Sequence, residues 1–123
     1  MENNFLKNKI IIKYCPDYYR IINEKFSSLD LMSDKVIQVY QSFIFSVDPR
    51  NKLELKRAIA LNTAISKYFS DREFKTELSR NLLSLKVPKG TKDVLLHIVN
   101  TILQVYSKYM EGYTRNLYIP RWI

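Results

Sequence analysis

Between Leu78 and Lys92 the chain carries four cations, Arg80, Lys86, Lys89 and Lys92, and no acidic residue. Lysine and arginine neutralise phosphate oxygens, and the turn signal Pro88-Lys89-Gly90 lets several such side chains converge. A second basic group, Arg50, Lys52, Lys56, Arg57 and Lys67, falls on a helical stretch. Its members at 52, 56 and 67 share one face, and Arg72 and Lys75 extend it. Residues 1–48 balance six Lys/Arg against six Asp/Glu. Residues 49–123 carry fourteen against six, so the whole net charge of +8 lies there. A field with a direction attracts polyanions. The expectation is one surface for nucleic-acid phosphates, built from Arg80, Lys86, Lys89, Lys92, Lys52, Lys56 and Lys67 and indifferent to base sequence. Simple solvation of helix faces by lysine is the plainer account of the same residues.

Aromatic and arginine residues meet near the C-terminus as Tyr113, Arg115, Tyr118, Arg121 and Trp122. That combination marks interface hot spots and single-strand contacts, so these five are the expected partner-binding residues. Docking of this tail onto its own domain is the competing reading.

Catalytic equipment is sparse. His97 is the sole histidine and Cys15 the sole cysteine. One of each cannot build a zinc site, and no cofactor motif is present. A Cys15–His97 dyad is conceivable, but His97 falls on the polar face of its helix and Cys15 precedes Pro16 among apolar residues, as an inert thiol would. Glu73 and Glu77 lie one turn apart among Arg72, Lys75 and Arg80, which reads as a salt-bridged surface. The run PKGTKD lacks the glycine spacing and preceding strand of a phosphate loop. The helix after Gly90 is too apolar for a recognition helix. The sequence therefore predicts a protein without enzymatic activity, metal or cofactor.

The elements that must position these residues are helical. In 123 residues there are two glycines and four prolines, too few for a sandwich or barrel, and 46% of residues are hydrophobic. That suffices for one domain with its own core. The segment FLKNKIIIKY predicts an N-terminal arm, extended or weakly helical. Pro16 opens the first helix, with Tyr19, Ile22 and Phe26 on its apolar face. Ser33 is the expected N-cap of the second, which carries Val36, Tyr40, Phe43, Ile44 and Val47. Asp48-Pro49 starts the third, with Ala58, Leu61, Ile65, Tyr68 and Phe69 inward. Ser70-Asp71-Arg72-Glu73 has the form of a capping box opening the fourth, with Phe74, Leu78, Leu82 and Leu85. Thr91 is the expected cap of the fifth. There an apolar stripe of Leu95, Ile98, Val99, Ile102, Val105, Tyr106, Tyr109, Met110 and Tyr113 holds register over five turns, which predicts the central helix of a bundle. The tail NLYIPRWI, with Pro120, reads as non-helical.

In outline the chain resembles the small helical subunits of type III-A CRISPR effector complexes, through a helix opening like SDKVIQVYQSFI, a long third helix and a final aromatic helix like LLHIVNTILQVYSKYMEG. That resemblance implies a basic protein lining a guide–target duplex. Bacteriocin immunity proteins and several viral helical bundles share the outline, and none of these carries functional residues across. The expected fold is an all-α, five-helix single domain: arm 1–15, helical body 16–113 and non-helical aromatic tail 114–123. The expected function is non-catalytic binding of RNA or DNA phosphates, as a subunit of a larger CRISPR-effector-like or viral assembly, with a protein partner or a homo-oligomer. The alternative is a small helical inhibitor or immunity factor acting on an acidic or hydrophobic protein. No stretch has the length of a signal peptide's apolar core or of a membrane span, which predicts a soluble protein of the cytoplasm, or of the host cytoplasm if viral.

Overall fold

The computed structural model describes residues 13–27 and 30–118, and the side-chain surroundings of all of these except 24–27 and 113–118. Five helices follow one another: α1 (Tyr18–Ser27), α2 (Leu31–Ser46), α3 (Lys52–Ser70), α4 (Arg72–Leu83) and α5 (Val94–Tyr118). No strand occurs among the described residues. Residues 1–12 of the expected arm lie outside them, and Lys13 and Tyr14 are helical.

Four of the helix starts fall two or three residues away from their sequence signals or on a neighbouring residue, each for a local reason. Asp30, not Ser33, caps α2. Its carboxylate accepts from the Met32 N–H at 2.9 Å and from the Ser33 hydroxyl at 3.2 Å, and a carboxylate at a helix start also faces the positive end of the dipole. Pro49 sits in the turn before α3, whose cap is Asn51, accepting from the N–H groups of Leu53 and Glu54 at 3.1 and 3.2 Å. Asp71, one residue beyond Ser70, is both the end of α3 and the cap of α4. It adopts an extended conformation (φ −127°, ψ 110°) and accepts from the Phe74 N–H at 3.1 Å. Thr91 does not cap α5, because its hydroxyl donates to the Pro88 carbonyl at 2.7 Å. Asp93 takes the Leu96 N–H at 2.9 Å instead.

Side-chain pairs fix the directions. Ser33 meets Tyr68 at 3.3 Å and Tyr40 donates to Asn62 at 2.7 Å, so α2 and α3 run antiparallel. The Phe74 ring packs on Tyr106 and Tyr109, with ring centres 5.6 and 5.2 Å apart. Further along, Leu82 and Leu85 face Ile98 and Ile102, so α4 and α5 are antiparallel too. Helix α4 leaves α3 at the tight joint of Asp71 and passes the start of α2: Lys75 reaches Asp30 at 3.5 Å, Ser79 meets Tyr68 at 3.4 Å, and Leu82 and Leu83 line a depression with Met32 and Lys35. Helix α1 packs across α2 and α3.

The centre of the core is α2 with α3, not α5 as the length of its stripe predicts. Ile37, Tyr40, Leu61, Ala64 and Ile65 have no solvent exposure, whereas on α5 only Val99 and Ile102 are fully enclosed among the described side chains. Leu95, Ile98, Val105, Tyr106 and Tyr109 are half-buried against the cluster. The cause is the length of the neighbour: α4, at 12 residues, spans only about 18 Å and cannot cover a helix twice as long. Helix α5 also continues to Tyr118, five residues into the segment read from sequence as non-helical. Pro120 stands too far on to stop it earlier, since a proline bars helix chiefly at the residue before it.

Candidate nucleic-acid interface

The seven expected phosphate contacts separate into three groups. Lys52 and Lys56, one turn apart at the start of α3, are exposed, as are Lys86, Lys89 and Lys92 on the α4–α5 connection. None of them has an ion-pair partner among the described residues. The carboxylates nearest them in the chain have partners of their own: Asp48 holds Arg50 at 3.2 Å, Glu54 accepts from the Asp48 N–H at 3.0 Å, and Asp93 caps α5.

Lys67 lies elsewhere. Fifteen residues along α3 from Lys52, it is about 22 Å away, at the opposite end, where its ammonium sits 3.3 Å from the Asp71 carboxylate. Asp71 also accepts from the Tyr109 hydroxyl at 2.9 Å. The Phe74 N–H first, then Tyr109 and Lys67, hold its carboxyl below the ordinary range, against the opposing effect of desolvation. This charge is used to lock a joint.

Arg80 occupies a third place, on the outward face of α4, with Glu77 at 3.5 Å. It lines an open trough of about 590 Å³ with Arg72, Lys75, Thr76 and Ser79, bordered by Asp30 and Leu83. Spacings of three and four from Arg72 to Arg80 put them on one helical face. Arg72 and Lys75 are therefore closer companions of Arg80 than of the α3 cations to which the sequence assigned them. Their spacing holds the signal, but the break at Asp71 resets the helical phase. Lys75 is shared with Asp30 at 3.5 Å.

The start of α5 is occupied by the chain itself: Asp93 takes the Leu96 N–H, and the Thr91 hydroxyl is bonded to the Pro88 carbonyl. Gly90 makes that turn with φ +87°, a conformation that side-chain-bearing residues avoid. The connection is thus a formed turn that displays its lysines.

Cys15 is 3% exposed. Its thiol faces the Ala58 carbonyl at 3.8 Å, and burial pushes its pKa up to about 11, so it stays protonated at neutral pH. His97 is half-buried on α5. No cluster of three or more His, Cys, Asp or Glu suited to a metal occurs among the described residues. None of their helices is long and apolar enough to cross a membrane. The expected partner-binding residues Tyr113, Arg115, Tyr118, Arg121 and Trp122 have side chains outside the described set.

Compared with known proteins, the chain matches no family model, no curated protein and no solved structure.

Proposed function

We propose that this protein is a non-catalytic subunit that binds nucleic-acid phosphates without reading base sequence. One observation carries the reading: the formed turn between α4 and α5 exposes Lys86, Lys89 and Lys92, and these, like the exposed Lys52 and Lys56 at the start of α3, have no ion-pair partner among the described residues. An unpaired cation gives up no ion pair to meet a phosphate, whereas Lys67 would have to leave Asp71 first. The α4 trough offers Arg72 and Arg80 as a second, weaker station.

Binding of this kind releases counterions, so affinity falls log-linearly with salt, by about 0.9 per phosphate contact on duplex and about 0.7 on single strands. The test is a salt titration on random single- and double-stranded oligonucleotides. Lys86/Lys89/Lys92→Ala should flatten the slope by about two to three units on duplex, and Lys67→Ala should leave it unchanged. Absence of binding by the wild type at about 50 mM salt, or equal slopes in wild type and triple variant, overturns the proposal.

The second reading, a small helical inhibitor or immunity factor, is favoured by a different feature: an apolar groove between α2 and α4, which nucleic acid has no use for.

A further inference from the structure

The groove is a depression of about 250 Å³ near the C-terminal end of α4. Met32, Val36 and Val39 form its α2 wall, Leu82, Leu83 and Leu85 its α4 wall, and Ile102 lies at its floor. Lys35 is the one charged residue that lines it. Leu83 is 76% exposed and Leu31, beside Met32, is 77% exposed. Leucines left in water beside an apolar depression form the kind of patch that soluble proteins keep for contacts.

Three occupants can be compared by chemistry. A nucleobase would bury its polar edges against Val, Leu and Ile with no hydrogen-bond partner, at a cost of kilocalories. A second copy of the chain, arranged about a two-fold axis, would bring its own Lys35 and its own lysine-bearing connection against these, and like charges facing each other oppose association. A peptide segment with apolar anchors and acidic flanks meets neither objection. Its anchors fill the depression, and its carboxylates face Lys35 and the connection that begins just beyond Leu85, where Lys86, Lys89 and Lys92 follow without an acidic residue. The nearby acids compete little: Asp30 is held by Lys75 and the Met32 N–H, and Asp93 by the Leu96 N–H. A trough between two helices suits a third helix, reading anchors at i, i+3, i+4 and i+7.

We infer that the α2–α4 groove docks an acidic amphipathic helix of a partner protein, with Leu83 as the rim of its anchor pocket and Lys35 as its charge contact. The inference does not depend on nucleic-acid binding, because Leu83, although it borders the α4 trough as well, has no group that pairs with phosphate.

The test pans a displayed library of random 16-residue peptides against the full chain. The expected selection is enriched in apolar residues at helical spacing and carries net negative charge. Synthetic versions of the selected peptides should bind wild type and lose at least about tenfold in affinity on Leu83→Ser. They should weaken on Lys35→Glu and with added salt. Leu83 is largely exposed, so its variant keeps the fold, which thermal melting verifies. Random-oligonucleotide binding by Leu83→Ser should equal that of wild type, which separates failure here from failure of the nucleic-acid proposal. No enrichment, enrichment of neutral or basic peptides, or peptides that bind Leu83→Ser as well as wild type overturns the inference.

Discussion

The two ends of α4 use similar residues to opposite effect. At its start the capping carboxylate is tied into the fold. Asp71 bonds the Phe74 N–H, the Tyr109 hydroxyl and the Lys67 ammonium, and Phe74 beneath it has no exposure. At its end Leu83 projects into water, and the connection beyond displays Lys86, Lys89 and Lys92 without ion-pair partners among the described residues. Lys67 and Lys86 count equally in any tally of charge. They differ in whether a carboxylate lies within reach, and the cation whose charge the fold does not use is the one free to bind something else. The start of α4 is a structural joint and its end is an exposed surface.

The strongest challenge to that contrast is a pair of truncations. Phe74→Ala should cost about 3–5 kcal/mol, as a fully buried aromatic truncated to leave a cavity. Leu83→Ala should stay within about 0.5 kcal/mol. Urea denaturation measures both, and similar costs at the two sites would abolish the distinction between joint and surface.

Asp71 sharpens it. Asp71→Ala removes the cap of α4 and the acceptor of Tyr109, and should cost about 1–2 kcal/mol. The charge is separable from the cap, since asparagine caps nearly as well. In the folded protein the Phe74 N–H, Tyr109 and Lys67 hold the Asp71 carboxyl below its ordinary range. The fold therefore favours the ionised form. The resulting stability is complete above the ordinary carboxylate pKa and is lost as pH falls through and below it. Asp30 is lowered in the same direction, chiefly by the Met32 N–H. Melting temperature should thus decline on acidification, and less steeply in Asp71→Asn. Parallel pH profiles for wild type and Asp71→Asn would show that this carboxylate does not stabilise the joint.

The smallest effect is expected at the exposed end. Gly90 has open space where a Cβ would stand, so Gly90→Ala meets only the backbone penalty of positive φ, about 1 kcal/mol. It should leave the core intact, as read by amide exchange, while altering the presentation of Lys89 and Lys92, as read by the oligonucleotide titration. A loss of protection in α2 and α3 would mean that the turn is part of the core.

Much of the helical plan was legible from residue order. Apolar recurrence located α2, α3 and α4, and Pro88-Lys89-Gly90 marked the break before α5. The exact caps were less legible, because Ser33 and Thr91 have the right chemistry for caps while nearby aspartates have it more strongly. Ser33 is instead buried and bonded to Tyr68. The rank of α5 in the core was not legible at all. An apolar stripe states which face can be buried, and the length of the neighbour decides how much of it is.

By itself the sequence determined an all-α bundle, a net positive charge carried by residues 49–123 and the acid-free run from Leu78 to Lys92. These follow from periodicity and composition, which are properties of neighbours along the chain. Only the tertiary structure decided that Lys67 is used by Asp71, that Arg72, Lys75 and Arg80 share a trough with Asp30, and that Leu82, Leu83 and Leu85 face Met32 and Val36 across a groove. Those outcomes depend on contacts between residues apart in the chain, where a difference of a few ångströms separates an ion pair from a free cation.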